Sequence, residues 1–130
     1  MLQTENNRLR DSIQSYRDLS AWQRARELVA SIYELTAEFP ADERFGLTAQ
    51  LRRSVISVPS NIAEGYGRGA RADYLRFLRI ARGSLYEAEA QLVLAMDLGF
   101  MSRDEFEQIQ LKIDAVAKPL WGLIRSLDQV

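Results

Sequence analysis

Residues 52–68 read RRSVISVPSNIAEGYGR, and the fold turns on whether a helix survives Pro59. A proline inside a helix removes one hydrogen-bond donor and crowds the turn before it, at a cost of about 3 kcal/mol. Yet Leu47, Leu51, Val55, Val58 and Ile62 recur at spacings of four, four, three and four, which is the period of one helical face. A break at Pro59 resets that phase, and a helix starting there takes Val58 as its N-cap, a poor residue for the role. The stretch therefore predicts one continuous helix, kinked at Pro59 with the Val55 carbonyl freed. Gly65 or Gly67 is expected to close it with a left-handed cap.

The same period extends on either side. Leu28, Ile32, Leu35 and Phe39 make one stripe, and Trp22, Ala25, Val29 and Tyr33 make a second beside it. Together they predict a helix from about Asp18 to Glu38, stopped by Pro40. The second stripe is expected to serve a neighbouring molecule. Tyr74, Phe77, Leu78, Ala81, Leu85, Ala88, Leu92, Ala95 and Met96 mark a helix from about Ala72 to Leu98, ended by Gly99. Gly83 sits mid-helix, at about 1 kcal/mol relative to alanine. The last helix has the strongest start signal: Ser102 and Glu105 as a capping box, with Met101 and Phe106 as a hydrophobic staple. Its seam runs from Phe106 through Ile113 and Leu120 to Leu127, in phase across Pro119. Four helices joined by short turns predict an all-α, antiparallel up-down-up-down four-helix bundle over residues 16–130. Residues 1–15 are polar and are expected to form an N-terminal arm.

Composition narrows the chemistry. Among the 130 residues there is no histidine and no cysteine, which removes the commonest general base, the thiolate nucleophile and nearly every zinc or haem ligand set. No metal, cofactor or catalytic residue is expected, and a non-enzymatic role follows. No apolar run approaches membrane-spanning length, no basic-then-apolar leader opens the chain, and a cytoplasmic protein is expected. Net charge is −1, but residues 52–82 hold seven arginines against two acids, a local +5.

The runs RDLSAWQRARELVASIYELTAEFP (17–40), FGLTAQLRRSVISVPSNIAEGYGR (45–68) and FLRIARGSLYEAEAQLVLA (77–95) resemble the four-helix bundle proteins encoded by intervening sequences of bacterial 23S ribosomal RNA genes. The likeness extends from about Tyr16 to Leu127. Its most specific parts are Ser57 to Gly65 and Gly83-Ser84-Leu85 with Glu87. The resemblance implies a left-handed bundle assembled as a ring-like homopentamer. It also implies kinship with the accessory protein of diversity-generating retroelements, which is similar in fold and binds nucleic acid through a basic surface. In a chain so near neutral, such a surface must come from the local arginines.

Three constellations each have a sharp and a plain reading. Glu64, with Asn61 one turn before it, reads either as a catalytic acid or metal ligand, or as part of an interhelical polar network with Ser84 and Glu87, reached by Arg71 and Arg76. The network is preferred, because no second carboxylate lies nearby in sequence. Gly65-Tyr66-Gly67-Arg68-Gly69 lacks the preceding strand that phosphate-cradling fingerprints require, so it reads as a helix hairpin, the sharper alternative being an anion held there by Arg68 and Arg71. Arg76, Arg79 and Arg82, with Arg52 and Arg53, read as a phosphate-tracking stripe for RNA or DNA. The plain alternatives are a solvated face or ion pairs to another subunit, which make the protein an assembly scaffold without nucleic-acid binding. Asp104, Glu105 and Glu107 are first-turn acids favoured by the helix dipole.

Overall fold

A computed structural model describes residues 12–129. Ser15 opens the first helical turn, accepting a hydrogen bond from the Arg17 amide at 3.0 Å while Asp18 accepts from the Ser15 amide at 3.1 Å. These two side chains cap a single 3-10 turn, Tyr16–Asp18. Asp18 is therefore part of a cap rather than the first residue of the helix, and α1 spans Ser20–Ala37. Most of the expected arm, residues 1–11, lies outside the described residues.

α2 spans Leu47–Gly67 without interruption, with Pro59 inside it. The apolar phase carries the helix through: Leu51, Val55, Val58 and Ile62 are fully buried, each worth roughly 1.5–3 kcal/mol of burial for the larger side chains. The expectation for its end needs correction. Neither Gly65 nor Gly67 is left-handed; the positive φ of +82° belongs to Gly69, in the turn beyond. Gly65 is buried and helical because a Cβ there would lie 2.8 Å from the Phe77 Cβ and 3.1 Å from the Tyr74 carbonyl. It is the point of closest approach to the next helix.

α3 spans Arg71–Asp97. It ends in a Schellman motif, with Gly99 at φ +78° and hydrogen bonds from the Gly99 amide to the Met96 carbonyl (3.0 Å) and from the Phe100 amide to the Ala95 carbonyl (2.9 Å). α4 spans Arg103–Asp128 and runs through Pro119. Its capping box is formed as expected: the Glu105 amide donates to Ser102 Oγ at 3.1 Å and the Ser102 amide to Glu105 Oε1 at 2.9 Å.

The four helices make a bundle with no strand among the described residues. Each packs on two neighbours in the cyclic order α1, α2, α3, α4, and neither diagonal pair approaches closely. The core on their shared axis is built from Leu28, Ile32, Leu78, Leu85, Leu92, Val116 and Leu120, with the four α2 residues. The second stripe of α1 is mostly used within the chain. Ala25 is fully buried, and Trp22 and Val29 are half-buried against the core. Tyr33 lies beneath the Arg52 guanidinium, 4.4 Å from its ring centre. No helix among the described residues is long and apolar enough to cross a membrane.

Candidate functional site

Three polar residues of α2 fall at Ser54, Ser57 and Asn61, and three of α3 at Ser84, Glu87 and Gln91. Threes and fours place each set on one helical face, and the two faces meet. Ser57 and Ser84 share a hydrogen bond of 2.8 Å, and Ser54 Oγ donates to Gln91 Oε1 at 3.0 Å. Gln91 in turn donates to Glu87 at 3.3 Å, and Asn61 donates to the Ser57 carbonyl and hydroxyl, both at 2.8 Å. Partners descend along α3 as they ascend along α2, the antiparallel sense. Small hydroxyls and Gly65 bring these backbones together, and every buried side-chain polar atom among the described residues has a partner. Asn61, Ser84 and Glu87 thus meet in one seam. Glu64 does not join it. Its carboxylate lies 3.5 Å from Arg68, on the exposed side, and neither Arg71 nor Arg76 reaches it. Ser54, Ser57 and Gln91, which complete the seam, went unread in the sequence although their spacing was the available signal.

Beside the seam, Tyr74 is half-buried, its ring perpendicular to that of Tyr66 with the ring centres 6.1 Å apart. Burial, with a smaller contribution from Tyr66, pushes its phenol up to about 12.

The seven arginines do not form one continuous stripe. Arg52 reaches back to α1, donating to Thr36 Oγ1 at 2.9 Å and to the Tyr33 carbonyl at 3.5 Å. Arg71 donates to the Leu127 carbonyl, and Arg79 pairs with Asp128 at 3.1 Å. Together they hold the C-terminal turn of α4, where a cation also favours the helix dipole. Arg68 and Arg76 flank the Phe77 ring at 5.2 and 4.4 Å and share Asp73 at 3.9 and 3.8 Å. Those exposed pairs are worth about 0–1 kcal/mol each. Arg53 and Arg82 make no hydrogen bond or ion pair among the described residues. Arg53 stands over a groove of about 350 Å³ whose walls include Ser57, Ser84 and Glu87.

Acidic residues gather on the opposite side. α1 and α4 enclose an open groove of about 460 Å³, with Leu35 and Ile109 beneath and Glu34, Glu38, Asp104 and Glu105 around it. Among the described residues no group of three acids is placed to hold a metal ion.

The family model described as "23S rRNA-intervening sequence protein" matches residues 17–122, from the 3-10 turn through most of α4. The chain belongs to that family. A solved structure, that of a protein with unknown function from the S23 ribosomal protein family of Bacteroides thetaiotaomicron, is similar at 25% identity and a TM-score of 0.71, covering 80% of this chain and 97% of the other. No curated protein matches. In this chain the two most specific stretches, Ser57 to Gly65 and Gly83 to Glu87, are the two sides of one helix contact. Packing accounts for Ser57 and Ser84, hydroxyls that pair, for Gly65, which admits a neighbour, and for Pro59, which the helix absorbs.

Proposed function

We propose that the protein is a non-enzymatic, cytoplasmic assembly module, a self-associating bundle that forms a ring of five. The observation that carries this reading is the outer face of α3. Among the described residues, five of the nine exposed large hydrophobic residues lie on or just after this one helix: Ile80, Tyr86, Val93, Leu94 and Leu98. Gly83 lies among them in open space, with nothing within 4 Å of where a Cβ would stand. Tyr86 rests edge-on against Trp121, ring centres 5.6 Å apart, but all five keep more than a third of their surface exposed, and an exposed apolar row is the mark of an interaction surface. The number five comes from the family resemblance. Light scattering at micromolar concentration tests the reading: a five-chain mass is expected, and a single-chain mass refutes it.

A second reading, contact with nucleic acid or a ribonucleoprotein, is favoured by the unpaired Arg53 and Arg82. The weak surface pairs of Arg68 and Arg76 support it too, since those guanidinium groups exchange a carboxylate for a phosphate at little cost. Filter binding of RNA and DNA at two salt concentrations tests it. Phosphate contact requires affinity to fall steeply with salt, and Arg53→Ala should lower the salt slope by about one unit for all sequences alike. No binding at low salt leaves the assembly scaffold alone.

A further inference from the structure

The groove between α2 and α3 carries two opposite charges that do not meet. Arg53 on α2 and Glu87 on α3 both line it, with Ser57 and Ser84, around a volume of about 350 Å³. Arg53 makes no hydrogen bond or ion pair among the described residues, and Glu87 receives only the Gln91 side chain, at 3.3 Å. A guanidinium and a carboxylate that share one groove without pairing leave a gap between them. A molecule charged at both ends fills such a gap.

The same groove holds a hydrogen-bond chain with an open end. Asn61 donates to Ser57 Oγ at 2.8 Å, and Ser57 Oγ and Ser84 Oγ share one hydrogen bond of 2.8 Å. Two hydroxyls carry two hydrogens, and this bond uses one of them. If Ser57 donates, the Ser84 hydrogen has no acceptor among the described residues; if Ser84 donates, the Ser57 hydrogen has none. Ser54 differs, its hydroxyl being committed to the Gln50 carbonyl and to Gln91. Ser84 is only 9% exposed, so the spare donor stands at the buried wall of the groove, where a hydrogen bond is stronger than in water.

We infer that this groove binds a small zwitterion of the α-amino acid class, its carboxylate on Arg53 and the spare serine hydrogen, its ammonium on Glu87. The guanidinium fork matches a carboxylate with two parallel donors, and a hydroxyl adds a third. Glu87 keeps lone pairs beyond the one that Gln91 takes. A plain anion would stand near Glu87 with nothing to offer it, and a plain cation would leave Arg53 unanswered. The volume is in the ordinary range of small-molecule sites. Arg53 and Glu87 are both exposed, so water competes for each charge and affinity in the millimolar range is expected. Self-association is not required for this binding, and a carboxylate here takes the place that the second reading gives to a phosphate.

Ligand-observed saturation-transfer NMR on the full chain tests this at any oligomeric mass. Glycine, L-alanine and L-glutamine serve as probes, with propionate, ethylamine and inorganic phosphate as comparisons that carry charge of one sign. The amino acids should bind at millimolar concentration, and each comparison molecule about tenfold more weakly or not at all. Arg53→Gln and Glu87→Gln should each weaken amino-acid binding by about tenfold or more, with circular dichroism unchanged because both side chains are exposed. No saturation transfer to any amino acid overturns the assignment. Propionate or phosphate binding as tightly as L-alanine, with Glu87→Gln without effect, also overturns it and leaves a plain anion site. Amino-acid binding that survives both substitutions lies elsewhere on the protein and overturns this groove as its site.

Discussion

Gly65 and Gly67 are two residues apart on one helix and serve different ends. A methyl at Gly65 meets the Phe77 Cβ at 2.8 Å and the Tyr74 carbonyl at 3.1 Å, neither of which is the tip of a flexible side chain. At Gly67 it meets nothing within 4 Å. Gly65→Ala should therefore destabilise the fold by about 1–3 kcal/mol, the usual cost of overpacking. Gly67→Ala should be neutral or gain up to about 1 kcal/mol. Urea unfolding of the two variants checks the contrast. Tyr74 gives a second test at this scale. Its phenol titrates near 12 when folded against 10.0 ordinarily, so the unfolded chain loses its proton first as pH rises. The stabilisation is complete below about pH 10 and is lost as pH climbs from 10 towards 12. Tyr74→Phe should flatten that alkaline decline, measured as urea midpoints at pH 8 and pH 11. Individual residues were the least legible level of the sequence. The cluster of seven arginines was plain in it, but their partners were not: Arg52 binds Thr36 on another helix, and Arg79 binds Asp128, 49 positions away. Spacing along one helix cannot report a partner on the next.

Elements were far more legible, because their causes are local. α4 begins where Ser102, Glu105 and the flanking Met101 and Phe106 require, and α2 continues where the apolar phase crosses Pro59. Ser102→Ala removes the hydroxyl that accepts from the Glu105 amide, and about 1 kcal/mol of stability should go with it. Thermal unfolding followed at 222 nm (a helix-sensitive wavelength) checks this, and a larger loss than Gly65→Ala would mean the cap matters more than the α2–α3 seam. The ends of α1 and α2 were misread for a shared reason. Asp18 and the glycines at 65 and 67 each suit two roles, and only tertiary packing chooses between them. Asp18 caps a 3-10 turn, and Gly65 admits Phe77 while Gly69 makes the turn. The α2–α3 seam was half visible. Asn61, Ser84 and Glu87 were chosen for it, but Glu64 points outward to Arg68 instead, since one more helical turn carries it to the exposed flank.

At the scale of the whole molecule, charge is unevenly distributed. Unpaired arginines lie on α2 and α3, and unpaired carboxylates line the α1–α4 groove. That asymmetry was hidden in the sequence because the groove draws its acids from Glu34 and Glu38 on one helix and Asp104 on another, 66 positions beyond Glu38. With a net charge of −1, long-range repulsion between copies is small. On the self-association reading the exposed apolar residues along α3 supply the driving force, so Leu94→Glu, at a site now 53% exposed, should weaken assembly without loss of helix content. The most direct test of self-association is the mass of the unmodified protein by light scattering across micromolar concentrations. A mass of five chains, held on dilution, is expected; a mass of one chain throughout contradicts it.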